Sequence, residues 1–247
     1  MLRTLLGEPA RVNTGELKEA MDTMAKTLQL LGAAIDRGND PSHDYRKLDI
    51  WTRGLMTSLD ELEQSTFAAS FFAAKVHSSS TEDMEPDEKA DYARYVYFYK
   101  DGFIRMFAIL DKLGNLLDDW YDLHTSKVKV HFSYFTVLRQ FEYLKQHMPL
   151  VQELNDLKDR YSDSMNRLRK RRNTEIHHMN IEMVDDLWQK HQTLHGKIEL
   201  EDLKSFTQDL ELGLELVSKS VTAAFHYINN NWQKSTSMAK NAVKTST

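Results

Sequence analysis

The sequence predicts an all-α protein, built as a single bundle of long antiparallel amphipathic helices. Three observations predict this class. The chain of 247 residues contains only 9 glycines and 4 prolines, too few for the many turns of an all-β fold. Apolar residues make up 41% of the chain and charged residues 28%, which suffices for a large core and a solvated surface. Apolar residues also recur every three or four positions over long stretches.

The first two helices follow from this spacing. Six apolar residues between Leu17 and Ile35 recur at alternating steps of four and three, which places them on one helical face. Thr14 is the expected N-cap of this helix, and Gly38 is the expected residue after its end. A second helix is predicted over residues 45–76, with an interruption near Gly54.

The third predicted helix has the broadest apolar stripe. A polar loop over residues 78–85 precedes it, and Pro86 suits its first position because proline lacks the N–H that would remain unbonded there. The helix is expected to run to Leu123. The breadth of its stripe predicts helical neighbours on more than one side. Polar and apolar residues alternate over 127–131, but this stretch is too short to predict a strand, and we interpret it as a connector.

The rest of the chain repeats the helical pattern. Helices are predicted over residues 133–146 and 149–174, with a shorter segment over 184–191 and a last long helix over 200–232. No composition shift marks a boundary between domains. We therefore predict one helical domain over residues 1–232, followed by a flexible polar tail over residues 233–247.

Composition limits the classes of function. The absence of cysteine excludes disulfides, thiolate metal sites and a cysteine nucleophile. No apolar run approaches the roughly 18 residues of a membrane span, and Met1–Val12 lacks the pattern of a secretory signal, so we expect a cytoplasmic protein. The formal net charge is −5, whereas proteins that coat duplex nucleic acid are usually basic. Any contact with nucleic acid is therefore expected to be local.

The most unusual stretch is a basic run near the end of the fifth predicted helix. Five cations occupy the six positions Arg167–Arg172, and His177 and His178 follow. One interpretation is a solvated helix end, because cations interact favourably with the negative end of the helix dipole. The other is a phosphate site, in which arginine binds phosphoryl oxygens and histidine transfers a proton near neutral pH. Composition alone leaves both open.

Helical geometry constrains a site of the second kind. Arg172 and His177 are five residues apart, or about 140° around a straight helix, so they do not share a face. Either the helix ends within this stretch or the site joins residues from two chains. Arg171 and His178 are seven apart and do share a face, which makes them the rival pair.

The spacing Arg172-Asn173-x-x-x-His177, late in a bundle of long helices, resembles the Arg-polar-x-x-x-His signature of the HEPN superfamily (higher eukaryotes and prokaryotes nucleotide-binding domains). The resemblance covers residues 57–228. Upstream, the aromatic helix carries an Asp-Lys-Leu-Gly sequence at residues 111–114, which is similar to a turn in one bacterial branch of that superfamily.

This resemblance implies a homodimer in which two motifs form one composite site. Active members are metal-independent ribonucleases, often toxins or antiviral effectors, and no cofactor or metal is expected. By position, His177 would be the general acid and base, Arg172 would hold the phosphate, and Asn173 would be the orienting residue. The other residues of the stretch expected to contact substrate are Arg169, Lys170, Arg171 and His178.

Two further hypotheses remain open. The chain could be a catalytically inactive interaction module of the same fold, which would bury Arg172 or pair it with a carboxylate. It could also be a structural helical protein without a nucleotide site, in which Arg172 and His177 would be solvated and apart. The partners considered are a second copy of the chain, RNA or a nucleotide, and an antitoxin or regulatory protein, with no membrane contact.

Overall fold

The computed structural model describes residues 2–128, 132–177 and 200–232, and its regular elements there are nine α-helices without a strand. The predicted all-α fold is confirmed. None of the described helices is long and apolar enough to cross a bilayer. The helices are α1 (Leu2–Leu5), α2 (Gly15–Asp36), α3 (Asp44–Ala73), α4 (Pro86–Trp120), α5 (Thr125–Val128), α6 (Tyr134–Leu144), α7 (Met148–Arg160), α8 (Ser162–His177) and α9 (Leu203–Asn230).

The predicted ends of α2 are confirmed, whereas the interruption of α3 is wrong. Thr14 has the extended backbone of an N-cap (φ −136°), and Gly38 has φ +71°, the left-handed conformation that glycine adopts after a helix. α3 continues through Gly54 for 30 residues. A glycine inside a helix costs about 1 kcal/mol relative to alanine, which is too little to break so long a helix.

The predicted fifth helix is two helices, α7 and α8, separated at Tyr161. The Tyr161 hydroxyl donates to Glu215 Oε1 at 2.7 Å, and the Ser164 hydroxyl donates to the Tyr161 carbonyl at 3.0 Å. The bond from Ser164 to the Tyr161 carbonyl is local and offers the backbone an alternative to a continuous helix. The segment predicted over residues 184–191 and the tail over residues 233–247 lie outside the described residues.

The Asp-Lys-Leu-Gly sequence at residues 111–114 is not a turn, because it lies inside α4. Asp111 Oδ1 accepts the backbone N–H of Tyr134 at 2.9 Å, at the first residue of α6. A Cβ added to Gly114 would lie 3.0 Å from Tyr134 Cα. The aspartate and the glycine therefore dock the start of α6, which a Ser133–Thr136 capping box also closes.

The chain divides into two compact units, and boundaries between them fall within α3, α4, α7 and α9. The first unit comprises Met1–Val12, Ser58–Ile109 and Asp159–Leu216, and the second comprises Asn13–Thr57, Leu110–Lys158 and Val217–Thr247. The single domain over residues 1–232 stays a prediction.

In the first unit, α4 packs closely against α9. A Cβ added to Gly213 of α9 would meet the sulfur of Met106 and would lie 3.2 Å from Cδ1 of Leu168 on α8. A Cβ added to Gly102 would lie 2.7 Å from Cδ2 of Leu210. The glycines thus allow close approach of the helices, and this packing places the basic run of α8 beside α4 and α9.

The second unit contains a cluster of aromatic rings around a histidine. The rings of Tyr121 and His147 have centroids 4.1 Å apart, and Nδ1 of His147 is 3.3 Å from the Tyr227 hydroxyl. His147 has a left-handed backbone (φ 52°). Burial lowers the pKa of His147, so the cluster favours the neutral imidazole.

Candidate functional site

The whole Arg-Asn-x-x-x-His spacing lies on α8, which ends at His177. The helix therefore does not end between Arg172 and His177, and these two positions are about 140° apart around its axis. The earlier helix end that a single-chain site requires is therefore not seen, and the two-chain arrangement stays a prediction. The structure describes only the backbone of His177, and His178 lies outside the described residues.

Two arginines of the basic run bind one buried carboxylate. Asp209 of α9 is only 2% exposed. Arg167 binds it with two donors, Nε at 2.9 Å from Oδ2 and Nη2 at 2.6 Å from Oδ1. Arg171 donates from Nη1 to Oδ2 at 2.9 Å. The hydrogen bonds to Asp209 raise the pKa of Arg167, and this pair of ion pairs ties α8 to α9.

Arg171 has further contacts inside the first unit. It donates to the Tyr99 hydroxyl at 2.7 Å, and its guanidinium lies 3.5 Å from the centroid of the Phe206 ring. Burial raises the pKa of Tyr99, which therefore remains a neutral phenol. Since Arg171 is bound by a carboxylate, a hydroxyl and a ring, its guanidinium already has its partners within the fold.

Arg172 is in a different situation. Its guanidinium lies 4.7 Å from the centroid of the Phe107 ring on α4, a cation–π contact that orients the charge without neutralising it. Its Nε is buried and has no hydrogen-bond partner among the described residues. No carboxylate of the described residues lies within ion-pair distance of Arg172. A buried N–H without an acceptor costs about 1–3 kcal/mol, so an anion that accepts from it would be stabilised.

A second cation lies one turn from Arg172. Burial lowers the pKa of Arg169, and repulsion by the charge of Arg172 lowers it further. The guanidinium group of arginine keeps its positive charge in proteins. Like charges three residues apart on a helix destabilise each other, so an anion bound at this position would relieve that repulsion.

The outer face of α8 is exposed and carries both polar and apolar side chains. Lys170 and Asn173 are exposed, and Ile176 is 51% exposed, at a regular spacing of three residues. Within the part of the chain that the structure describes, neither Lys170 nor Asn173 has a hydrogen-bond partner. Glu175 is turned the other way and pairs with Lys100 of α4 at 3.1 Å, which ties the end of α8 to α4.

The structure therefore separates the predicted site residues into groups. Arg171 points into the protein and binds Asp209. Arg172 and Arg169 are neighbouring cations that repel each other. Lys170 and Asn173 face solvent. The inactive module predicts that Arg172 is either buried or paired with a carboxylate. Among the described residues Arg172 has no carboxylate partner, but its Nε is buried, which agrees with the first of these two arrangements. The fully solvated arginine of a purely structural protein is not found.

Sequence reasoning missed the residues that hold the arginines in place. The sequence does contain one indication that Asp209 is buried, because this residue lies between Phe206 and Leu210 on the apolar side of the last helix. A carboxylate at such a position requires cations, and the basic run supplies them. The sequence contains no such indication for Phe107, since a phenylalanine in an apolar stripe predicts only core packing.

Comparison with known proteins supports the resemblance noted above. The sequence model of the Cthe2314-like HEPN family matches residues 51–229, which is more than half of the chain. This range includes α8 and each residue described above as contacting its arginines. No curated protein and no solved structure matches the chain.

Proposed function

The chain belongs to the Cthe2314-like HEPN family, and from this membership we propose that it is a metal-independent endoribonuclease whose active site forms between two copies of α8. HEPN domains commonly dimerise and are generally nucleotide-related proteins or ribonucleases. The proposal selects the ribonuclease class for this chain and assigns the site to the motif on α8.

One observation carries the proposal, namely the unmatched charge of Arg172. The guanidinium is held over Phe107, its buried Nε lacks an acceptor, and Arg169 adds a second positive charge one turn away. A phosphate supplies the acceptor oxygens and negative charge that suit such a site. The rival Arg171 is already bound by Asp209, which favours Arg172 as the phosphate-binding arginine.

The roles of the residues follow from this assignment. Arg172 binds the scissile phosphate and stabilises the charge that develops on its oxygens. His177 accepts the proton of the 2′-hydroxyl as the 2′-oxygen bonds to phosphorus and the bond to the 5′-oxygen breaks, and the departing 5′-oxygen takes up a proton. The products are a 2′,3′-cyclic phosphate and a 5′-hydroxyl. Asn173 and Lys170 contact the neighbouring part of the strand.

The geometry of α8 favours a site made by two chains. Arg172 and His177 occupy positions about 140° apart on one continuous helix, so one copy does not direct both at the same phosphate. In a two-fold dimer, Arg172 of one copy and His177 of the other can approach one phosphate. Each copy then contributes the same residues to the shared site.

A second candidate is a catalytically inactive module that binds RNA, a nucleotide or a regulatory protein such as an antitoxin. The neutralisation of Arg167 and Arg171 by Asp209 favours it, because two of the five cations of the run are then less available to a long RNA. The formal net charge of −5 also favours this candidate, because a negatively charged protein attracts the RNA backbone weakly.

The first experiment is cleavage of a mixed-sequence single-stranded RNA in the presence of EDTA. We expect cutting by the wild type and a fall of about 10²–10³-fold in Arg172→Ala and His177→Ala. Arg46→Ala removes an exposed arginine of α3 and serves as the matched control, with unchanged activity. Light scattering and circular dichroism establish that each variant is a folded dimer.

Three outcomes separate the hypotheses. Loss of cutting in His178→Ala, but not in His177→Ala, would move the site to the rival pair of residues. A folded wild-type dimer that cuts none of several RNAs, but binds them through Arg172, would leave the inactive module. A wild type that neither cuts nor binds RNA would contradict the ribonuclease and the RNA-binding module, and would leave only a module that binds a nucleotide or a regulatory protein.

A further inference from the structure

We infer that Asp209 is a positioning residue, which sets the rotation of α8 and thereby holds Arg172 at the phosphate site. The inference rests on the proposed function for the nature of the ligand. Asp209 itself does not touch Arg172 or the substrate. It acts through Arg167 and Arg171, which are its partners on α8.

Two anchor points on one face fix the rotation of a helix. Arg167 and Arg171 are four residues apart, so both side chains leave α8 on the same side. Both reach the same carboxylate, Arg167 at 2.6 Å from Oδ1 and Arg171 at 2.9 Å from Oδ2. Rotation of α8 about its axis would break at least one of these contacts.

Burial makes this anchor costly to release. The Asp209 carboxylate is 2% exposed, so water cannot replace a departing arginine, and an unpaired buried carboxylate is strongly unfavourable. The Tyr99 hydroxyl and the Phe206 ring fix the guanidinium of Arg171 at the same point. The side of α8 that faces α9 is therefore determined by Asp209.

The direction of Arg172 follows from that of Arg171. Adjacent residues of a helix are about 100° apart around its axis. With Arg171 directed at Asp209, Arg172 is directed at Phe107 of α4, where its Nε remains without an acceptor. Loss of the anchor would let Arg171 compete for the same ligand and would leave the direction of Arg172 undefined.

Removing the carboxylate is therefore expected to have opposite effects on binding and on catalysis. Asp209→Asn releases two guanidinium groups, which adds cations for the RNA backbone and makes binding equal or tighter, with a steeper dependence on salt. The same change misaligns Arg172, so kcat should fall at least about 10-fold. A simple loss of folded protein would reduce both quantities together.

The decisive test is a double-mutant cycle on binding, which does not require cleavage. The probe is a mixed-sequence single-stranded oligonucleotide with 2′-O-methyl groups, which cannot form the cyclic phosphate. In the wild-type background, Arg172→Ala should weaken its binding about 10-fold. In the Asp209→Asn background, the same change should weaken binding less than about 3-fold, since a misaligned Arg172 contributes little.

Two variants keep the test interpretable. Asp163→Asn removes an exposed carboxylate from the first turn of α8, so it changes the net charge equally and should leave the effect of Arg172→Ala at about 10-fold. Arg167→Gln alters an arginine that is 51% exposed and leaves the Asp209–Arg171 pair in place, so it should fold even if Asp209→Asn does not. Because it removes one of the two anchor points of α8, it should also reduce the effect of Arg172→Ala, but by less than Asp209→Asn does.

The outcomes distinguish the inference from the function on which it rests. An equal effect of Arg172→Ala in the wild-type, Asp209→Asn and Arg167→Gln backgrounds would overturn the positioning role alone. If Arg172→Ala alone binds the oligonucleotide as tightly as the wild type does, the proposed phosphate site is overturned, and the inference with it. A smaller effect in both variant backgrounds, but not with Asp163→Asn, is the expected result.

Discussion

Replacing Gly114 by alanine is expected to destabilise the protein, although alanine favours helices by about 1 kcal/mol. The new Cβ would lie 3.0 Å from Tyr134 Cα and 3.4 Å from Tyr134 N, and both are backbone atoms that cannot turn away. Overpacking of this kind costs about 1–3 kcal/mol. Separating the helices would also stretch the 2.9 Å hydrogen bond from Tyr134 N to Asp111, a charge-assisted bond worth about 1.5–3 kcal/mol.

Together these terms predict a net loss of about 2 kcal/mol in the free energy of unfolding. Urea unfolding followed by circular dichroism measures this loss. With a slope of about 2–3 kcal/mol/M, the midpoint should fall by about 1 M. Gly54→Ala is the matched control, because its Cβ meets nothing within 4 Å on α3 and should raise the midpoint. A midpoint for Gly114→Ala equal to or above that of the wild type would refute the reasoning.

Three further predictions follow from single contacts. Burial lowers the pKa of His147, so the unfolded chain takes up a proton first, and the free energy of unfolding should fall as the pH drops below about 6.5. Urea midpoints at pH 7.5 and 5.5 should show this fall in the wild type and less of it in His147→Gln. Glu63→Gln removes the carboxylate shared by Arg3 and Arg11, and urea midpoints should report a loss of about 1–2 kcal/mol. If Arg172 binds phosphate, Arg172→Ala should reduce the slope of log K against log salt by about 0.7 for each motif in a titration with single-stranded RNA.

The helices could be predicted from the sequence because apolar spacing reports directly on the buried face. Thr14 and Gly38 marked the ends of α2 correctly, since caps depend on local conformation. The break at Tyr161 could not be predicted, because it involves a hydrogen bond to Glu215, 54 positions away. The prediction of an interruption at Gly54 was wrong because a single glycine does not break a helix of this length.

The site was predicted at the level of a stretch, and its internal arrangement was not. Arg171 and Arg172 are adjacent and chemically identical, so their sequence does not say which one points inward. That difference depends on Asp209, 38 positions beyond Arg171, and on Phe107 in another helix. Spacing along one helix therefore predicts a candidate site over the stretch, and only tertiary packing distinguishes the two arginines.

If Arg172 binds phosphate as proposed, its unmatched donor also places stability and ligand binding in opposition. Within the described part of the chain, this buried N–H lacks an acceptor, and the guanidinium covers an aromatic ring that an apolar side chain would cover at lower cost. Selection for thermal stability alone would therefore favour methionine or leucine at this position. If Arg172 binds phosphate, a laboratory evolution experiment on this scaffold that screens only for heat resistance should thus lose the proposed ligand binding first at this residue.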